Sequence, residues 1–264
     1  MNQTFNLKRF ATYLKYDLVS ARNNFGLSLL IIALMPLWSL ICYEMISIIS
    51  GHGFSEGNTG LQISSVMVAM IMLVLTAPVK LYGKVTDKKE GSAFLMIPAS
   101  TFEKFFSMLL ISCLILPVVG GVILLGSDAL ISAIVPGYES PVISNISSAM
   151  DYLTDSEIYI SPSLLWVSWC QNILTFTLGA IFFKRGKIGK TFLCVMGLGM
   201  ILVSLMVLIF SSTNISTEQL IEWFGNPTPE KFQQIINLII NIIYIVVFTI
   251  LLGGIYLRLK TLKH

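Results

Sequence analysis

The sequence predicts an all-α membrane protein of six transmembrane helices, with an N-terminal interfacial amphipathic helix and both termini cytoplasmic. Three observations predict it. Charged residues make up 12% of the 264, about half the roughly 25% usual in soluble globular proteins, and the mean hydropathy is +0.81. Between consecutive charges lie six uncharged runs of twenty or more residues: Asn23–Tyr43, Gly57–Val79, Phe105–Ser127, Ile158–Phe183, Thr191–Thr217 and Phe232–Leu257. A helix crossing about 30 Å of hydrocarbon needs about 20 residues at 1.5 Å each. The next longest run, Gly91–Phe102, has twelve residues and is too short to cross.

The third observation is where the charges fall. One side comprises the N-terminal segment, the 80–104 and 184–190 loops and the C-terminal tail. It carries 16 of the 17 basic residues against four acids, Asp17, Asp87, Glu90 and Glu103. The other side carries Lys231 alone against ten acids. The positive-inside rule puts the basic side, and with it both termini, in the cytoplasm. The small total of +3 therefore hides a strong polarity across the membrane. A single transmembrane domain covers 1–264, with spans at about 23–44, 60–80, 101–127, 162–183, 191–212 and 229–257.

Taken in order, residues 4–22 are too charged to cross. Leu7, Phe10, Ala11, Leu14, Leu18 and Ala21 share one helical stripe, flanked by Lys8, Lys15 and Arg22. An in-plane helix with lysines reaching anionic headgroups fits this pattern; a helix docking on a partner would use the same stripe. A short glycine-rich outer loop, Gly51–Gly60, joins the first two spans, and Glu44 sits at the rim of the first.

The 80–104 loop has a charged first half, a short apolar stretch (Ala93–Ile97) and then Pro98. Ser100 with Glu103 three residues on forms a capping box, which starts the third span there. A charged element held between two spans is well placed to transmit force. The acidic connection Asp128–Ser161 is broken by Pro136, Gly137 and Pro141. Ala129–Val135 either extends the third helix or dips back into the membrane. Ser161 and Pro162 read as N-cap and first helical position of the fourth span.

The 184–190 hairpin is purely basic. Its Gly189-Lys190-Thr191 ending resembles a phosphate-binding loop, but Lys184 stands where that motif needs glycine. In the last outer loop, Ser216 and Gln219 precede Leu220, Ile221, Trp223 and Phe224, a pattern for a short amphipathic helix. Pro229 then opens the sixth span.

Several chemistries are excluded. The basic residues form no continuous face of the kind nucleic acid requires, so no nucleic-acid partner is expected. Cys42, Cys113, Cys170 and Cys194 all fall in spans and read as small buried thiols. The first apolar run is span-length with no small-residue cleavage site after it, unlike a cleaved signal peptide. His52 and His264 are the only histidines, and no metal-ligand spacing accompanies them. Uncharged span centres speak against an ion-coupled transporter, and no nucleophile signature marks a hydrolase. No catalytic residue, metal or cofactor is expected, and the chain itself is not read as an enzyme. Gly120, Gly121, Gly197 and Gly199 permit close helix approach; Met196, Met200 and Met206 read as lipid or helix packing.

The order of elements resembles the permease subunits of type-2 ATP-binding-cassette (ABC) exporters of the small bacterial type. Lys89-Glu90-Gly91 followed by Leu95-Met96-Ile97-Pro98-Ala99-Ser100 is similar to the E-G…L-x-x-x-P-x-S segment before the third span of such proteins, with one residue fewer between leucine and proline. The resemblance implies an inner-membrane subunit driven by a separate cytoplasmic ATPase; it does not identify the substrate, for which a lipid-like molecule and a peptide are the candidates. It also implies pairing with a second permease copy or a homologous permease, among membrane lipids. The coupling loop contacting the ATPase would comprise Lys84, Asp87, Lys88, Lys89 and Glu90. Spans two and five would line the dimer interface and export path, with Pro78 placed to kink span two. The alternative is a non-transporting membrane scaffold, immunity or signalling protein.

Overall fold

The computed structural model describes residues 5–51, 59–134, 162–213 and 229–262, and among these every regular element is helical. α1 (Leu7–Ala33) and α2 (Met35–Ile49) precede α3 (Thr59–Tyr82), a 3-10 turn (Gly83–Thr86) and the short α4 (Lys88–Met96). α5 (Thr101–Leu110), a π turn (Ile111–Ile115) and α6 (Leu116–Ile134) follow one another without a gap. α7 (Pro162–Phe182), α8 (Lys187–Thr213) and α9 (Pro229–Thr261) complete the order.

Ser64–Thr86, Thr101–Ala133, Lys187–Leu205 and Ile240–Thr261 are each long and apolar enough to cross a membrane. α1 and α2, bent by 40° at their junction, add a fifth crossing if the pair is one broken span. The run expected to form span four folds as α7, a helix of 21 residues.

The N-terminal boundary differs from expectation. No break separates residues 4–22 from the first apolar run, because α1 continues through Asn23 to Ala33. The chain breaks at Leu34, just ahead of Pro36. Proline has no N–H to give, its ring collides with a helical carbonyl four residues back, and it disfavours helix in the residue before it. The packed face of α1 follows the apolar stripe in part. Phe10 is buried and Leu14, Leu18 and Ala21 are half-buried, but Leu7 and Ala11 are exposed, while Tyr13 and Asp17, off the stripe, are buried and half-buried. Polar side chains turn inward here because partners meet them there.

Asp128 differs too. Expected in an outer connection, it lies inside α6 and is fully buried. Of the two options for Ala129–Val135, helix extension is seen as far as Ile134. The rest of the 128–160 segment, like the helix expected at 216–224, lies outside the described residues. Of the four thiols expected to be buried, Cys170 is buried and Cys113 partly so, but Cys42 and Cys194 are exposed.

α7 is the helix the others pack around. Ile173, Leu174, Thr177, Ala180 and Ile181 are all buried. Leu174 and Ile181 join Tyr82, Val85, Phe105, Met108, Ile255 and Leu259 in the core of the basic end. Ile173 joins Phe25, Leu29, Leu73, Ala77 and Leu116 one layer further in, and a thin cluster of Ala33, Ala69 and Leu124 lies beyond. Packing is therefore densest at the basic end.

α7 also repairs a backbone defect. Pro117 cannot donate to the carbonyl of Cys113, and the π turn lies just before it. The Cys170 thiol, 3.8 Å from that carbonyl oxygen, donates to it. Pro78, by contrast, sits within an unbroken α3.

Two glycines set helix separations. A Cβ on Gly179 would lie 1.9 Å from Thr191 Oγ1 and 2.7 Å from its Cβ, so α7 and α8 touch there through missing atoms. A Cβ on Gly120 would come within 2.8 Å of Leu73. Gly121, Gly197 and Gly199 face open space. α8 exposes Leu193, Met196, Leu198, Met200 and Leu202 to the outside of the bundle.

This packing makes a prediction. Gly179→Ala should destabilise by about 1–3 kcal/mol, as overpacking does. Gly197→Ala should change stability by less than about 1 kcal/mol, in the stabilising direction, because alanine is the better helix former. Thermal unfolding of purified protein in detergent measures both. Equal losses would show that α7 and α8 do not meet at Gly179.

Candidate functional site

The basic end of the bundle gathers the charged residues that the sequence singled out. α4 lies here, between the C-terminal end of α3 and the start of α5. Its nine residues are too few for a helix to be stable by itself, so neighbours must hold it.

At its N-terminus, Asp87 occupies the cap position with extended backbone angles (φ −83°, ψ 140°) but makes no side-chain cap bond. A carboxylate there still favours the positive end of the helix dipole. Asp87 instead faces Lys187 Nζ at 3.5 Å, with its own side chain about half exposed. The same ammonium donates to the Gly83 carbonyl. A Cβ on Gly83 would lie 3.3 Å from Lys187 Nζ, so the absent side chain makes the seat. Lys187, the first residue of α8, thus pins the turn that leads into α4.

The C-terminus of α4 is held by Lys104. This side chain is buried, its Nζ donates to the Phe94 carbonyl at 2.7 Å, and it lies 4.6 Å from the Phe94 ring centroid. A cation on the last free carbonyls of a helix satisfies an orphan acceptor and complements the dipole.

Next to Lys104 is Glu103, fully buried. The capping box is formed: Glu103 N–H donates to Ser100 Oγ, and Ser100 N–H to Glu103 Oε2. The carboxylate accepts three further bonds. Arg9 grips it with two, Nε to Oε2 and Nη2 to Oε1, each 2.7 Å long. The Asn6 N–H adds a third at 2.9 Å. Asn6 in turn caps α1, its side chain accepting from the N–H groups of Lys8 and Arg9. One carboxylate therefore joins the first turn of α1 to the first turn of α5. Phe5, Phe10, Phe102 and Phe106 of the same two segments pack on one another, one pair edge-on, one stacked and two tilted, with centroids 5.4 to 6.3 Å apart.

A second link lies deeper. Ser107 Oγ donates to Asp17 Oδ2 at 2.6 Å, and Lys84 Nζ reaches Asn24 Oδ1 at 3.3 Å. Tyr13, Asp17, Asn24, Tyr82, Lys84 and Phe94 line a cavity of about 250 Å³ between α1, the base of α3 and α4.

Of the residues singled out from the sequence, Lys84, Asp87, Ser100 and Glu103 meet at this end, and each contacts another element or caps a helix. Lys88, Lys89 and Glu90 form the first turn of α4, and their side chains lie outside the described residues. Arg9, Asp17, Lys104 and Lys187 were missed as parts of the site. Arg9 and Glu103 stand 94 residues apart, and no local pattern pairs them. Among the described residues no group of His, Cys, Asp and Glu could hold a metal ion. The arrangement can fix a short helix rigidly against three long ones. No protein-family model, curated protein or solved structure matches this chain.

A double-mutant cycle tests the central pair. Glu103→Gln and Arg9→Met should each lower the melting temperature in detergent. The double variant should lose well under the sum of the two, since residues in one network do not add. Additive losses would mean that the pair is not coupled in solution.

Proposed function

We propose that this chain is the permease subunit of an ABC exporter in a bacterial inner membrane, with α4 as the element that a separate cytoplasmic ATPase engages. The observation that carries this reading is the clamped state of α4. It is held by Lys187 at its start and Lys104 at its end, yet exposes Leu95 and Met96, the latter at 82%. A push on α4 passes through stiff contacts. It reaches α8 through Asp87–Lys187, α1 through Lys84–Asn24, and α1 with α5 through the Arg9–Glu103 pair beside Lys104. Three helices would thus feel one displacement of α4, as alternating access requires.

In this reading α7 is the sixth crossing. At 1.5 Å per residue, 21 residues span about 31 Å, the thickness of the hydrocarbon. Its polar Asn172 is served within the helix, donating to the Ser168 carbonyl. Both termini lie in the cytoplasm with the basic residues, and a second permease copy or homologue completes the path. The substrate class that suits apolar, uncharged spans is a lipid-like molecule or a peptide.

The experiment is co-purification from native membranes, with ATP hydrolysis by the captured partner and ATP-dependent flux in vesicles as readouts. Wild type should bring down an ATPase. Glu90→Lys with Met96→Glu should lose it while leaving the melting temperature within a few degrees, because Met96 is exposed. Absence of both an ATPase and ATP-dependent flux would sink the proposal.

A further inference from the structure

An apolar groove of about 600 Å³ runs between α7, α8 and α9, lined mainly by Leu178, Phe182, Val195, Leu198, Leu251 and Leu257. Its three threonines do not make it polar. Thr175, Thr191 and Thr261 each donate their hydroxyl to a carbonyl of their own helix, at 2.8, 2.7 and 3.0 Å. Water gains nothing in such a groove, and a dry apolar groove facing a bilayer is filled by hydrocarbon. The stretch from Leu251 to Thr261 rises about 15 Å along the helix, the depth of one leaflet.

The groove ends in a cationic rim. Arg258 Nε donates to the Ile181 carbonyl at 3.4 Å, and its guanidinium lies 5.4 Å from the Phe182 ring centroid. Lys190 Nζ lies 6.0 Å from the Phe183 ring centroid. No carboxylate pairs with Arg258 or Lys190 among the described residues. Exposed Lys184 and Arg185 follow Phe183 directly in the chain. Hydrocarbon below and unpaired cations at headgroup level are complementary to one molecule: a lipid with an apolar tail and an anionic head.

We propose that this groove is a binding site for one anionic phospholipid of the leaflet on the basic side. An acyl chain lies along Leu178, Leu198 and Leu251. The phosphate is held at Arg258, whose planar donors suit a phosphate, with Lys190 alongside. This goes beyond the exporter reading and requires no ATPase, so either can fail alone.

The test is native mass spectrometry of the full chain after extraction from vesicles equimolar in phosphatidylcholine and phosphatidylglycerol. Wild type should retain one phosphatidylglycerol per chain in preference to phosphatidylcholine. Arg258→Gln should lower that retention about fivefold, the loss of roughly one surface cation's attraction, and Arg258→Lys should restore part of it. Val195→Trp, at an exposed wall position, should fill the groove and displace lipid even if Arg258→Gln fails to fold. Equal retention of the two lipids would overturn the proposal, as would retention unchanged by Val195→Trp. A lipid-free dimer would also overturn it, with a second copy as the occupant.

Discussion

Glu103 is a fully buried carboxylate, and burying a charge is tolerable only when its oxygens are fully hydrogen-bonded and a counter-ion sits beside them. Everything at the basic end follows from meeting that demand. Ser100 supplies one donor and thereby fixes where the long α5–α6 helix begins. Arg9 and Asn6 supply the others and thereby fix where α1 begins. Lys104, carried inward on the adjacent position, reaches back to the end of α4. A single ionised group thus ties together the starts of two helices, and its neighbour Lys104 holds the end of a third. Losing one donor leaves a charge in a medium that cannot solvate it, and so the helices move together or not at all.

Packing elsewhere is uneven in a way that suits a membrane. Hydrocarbon solvates leucine as well as a protein core does, so apolar burial does not by itself bring helices together in a bilayer. Close contact needs small residues or polar links. α7 has both: Gly179 against Thr191 of α8, and the Cys170 thiol on the carbonyl left over by Pro117. α8 has few such contacts beyond its first turn and leaves its apolar residues on the surface. The groove between α7, α8 and α9 is the space left where α8 leans on its neighbours only near its basic end.

The features that were readable in the sequence are the local ones. Segregated charge marks the long helices, because a charge in hydrocarbon is costly within the helix that carries it. The Ser100–Glu103 cap was readable because both residues lie in one turn. The end of α1 was not placed, because the charges of residues 8–22 suggest a boundary that the backbone does not observe; the break waits for Pro36. Asp17 was counted only as one of the four acids of the basic side, yet it accepts from Ser107, a partner 90 residues away. Lys187 was read as one more positive-inside anchor, and its seat on Gly83 depends on a turn in another part of the chain.

The sequence by itself determined the class of the protein: helical, apolar and polarised in charge from one side to the other. These properties depend on each segment's own composition and on the thickness of a bilayer, and need no knowledge of neighbours. Only the tertiary structure decided which charges are paired, which end of the bundle is stiff and where a groove remains open. Those outcomes depend on distances between residues tens to a hundred positions apart. Such distances are set by how whole helices cross, which no short pattern encodes.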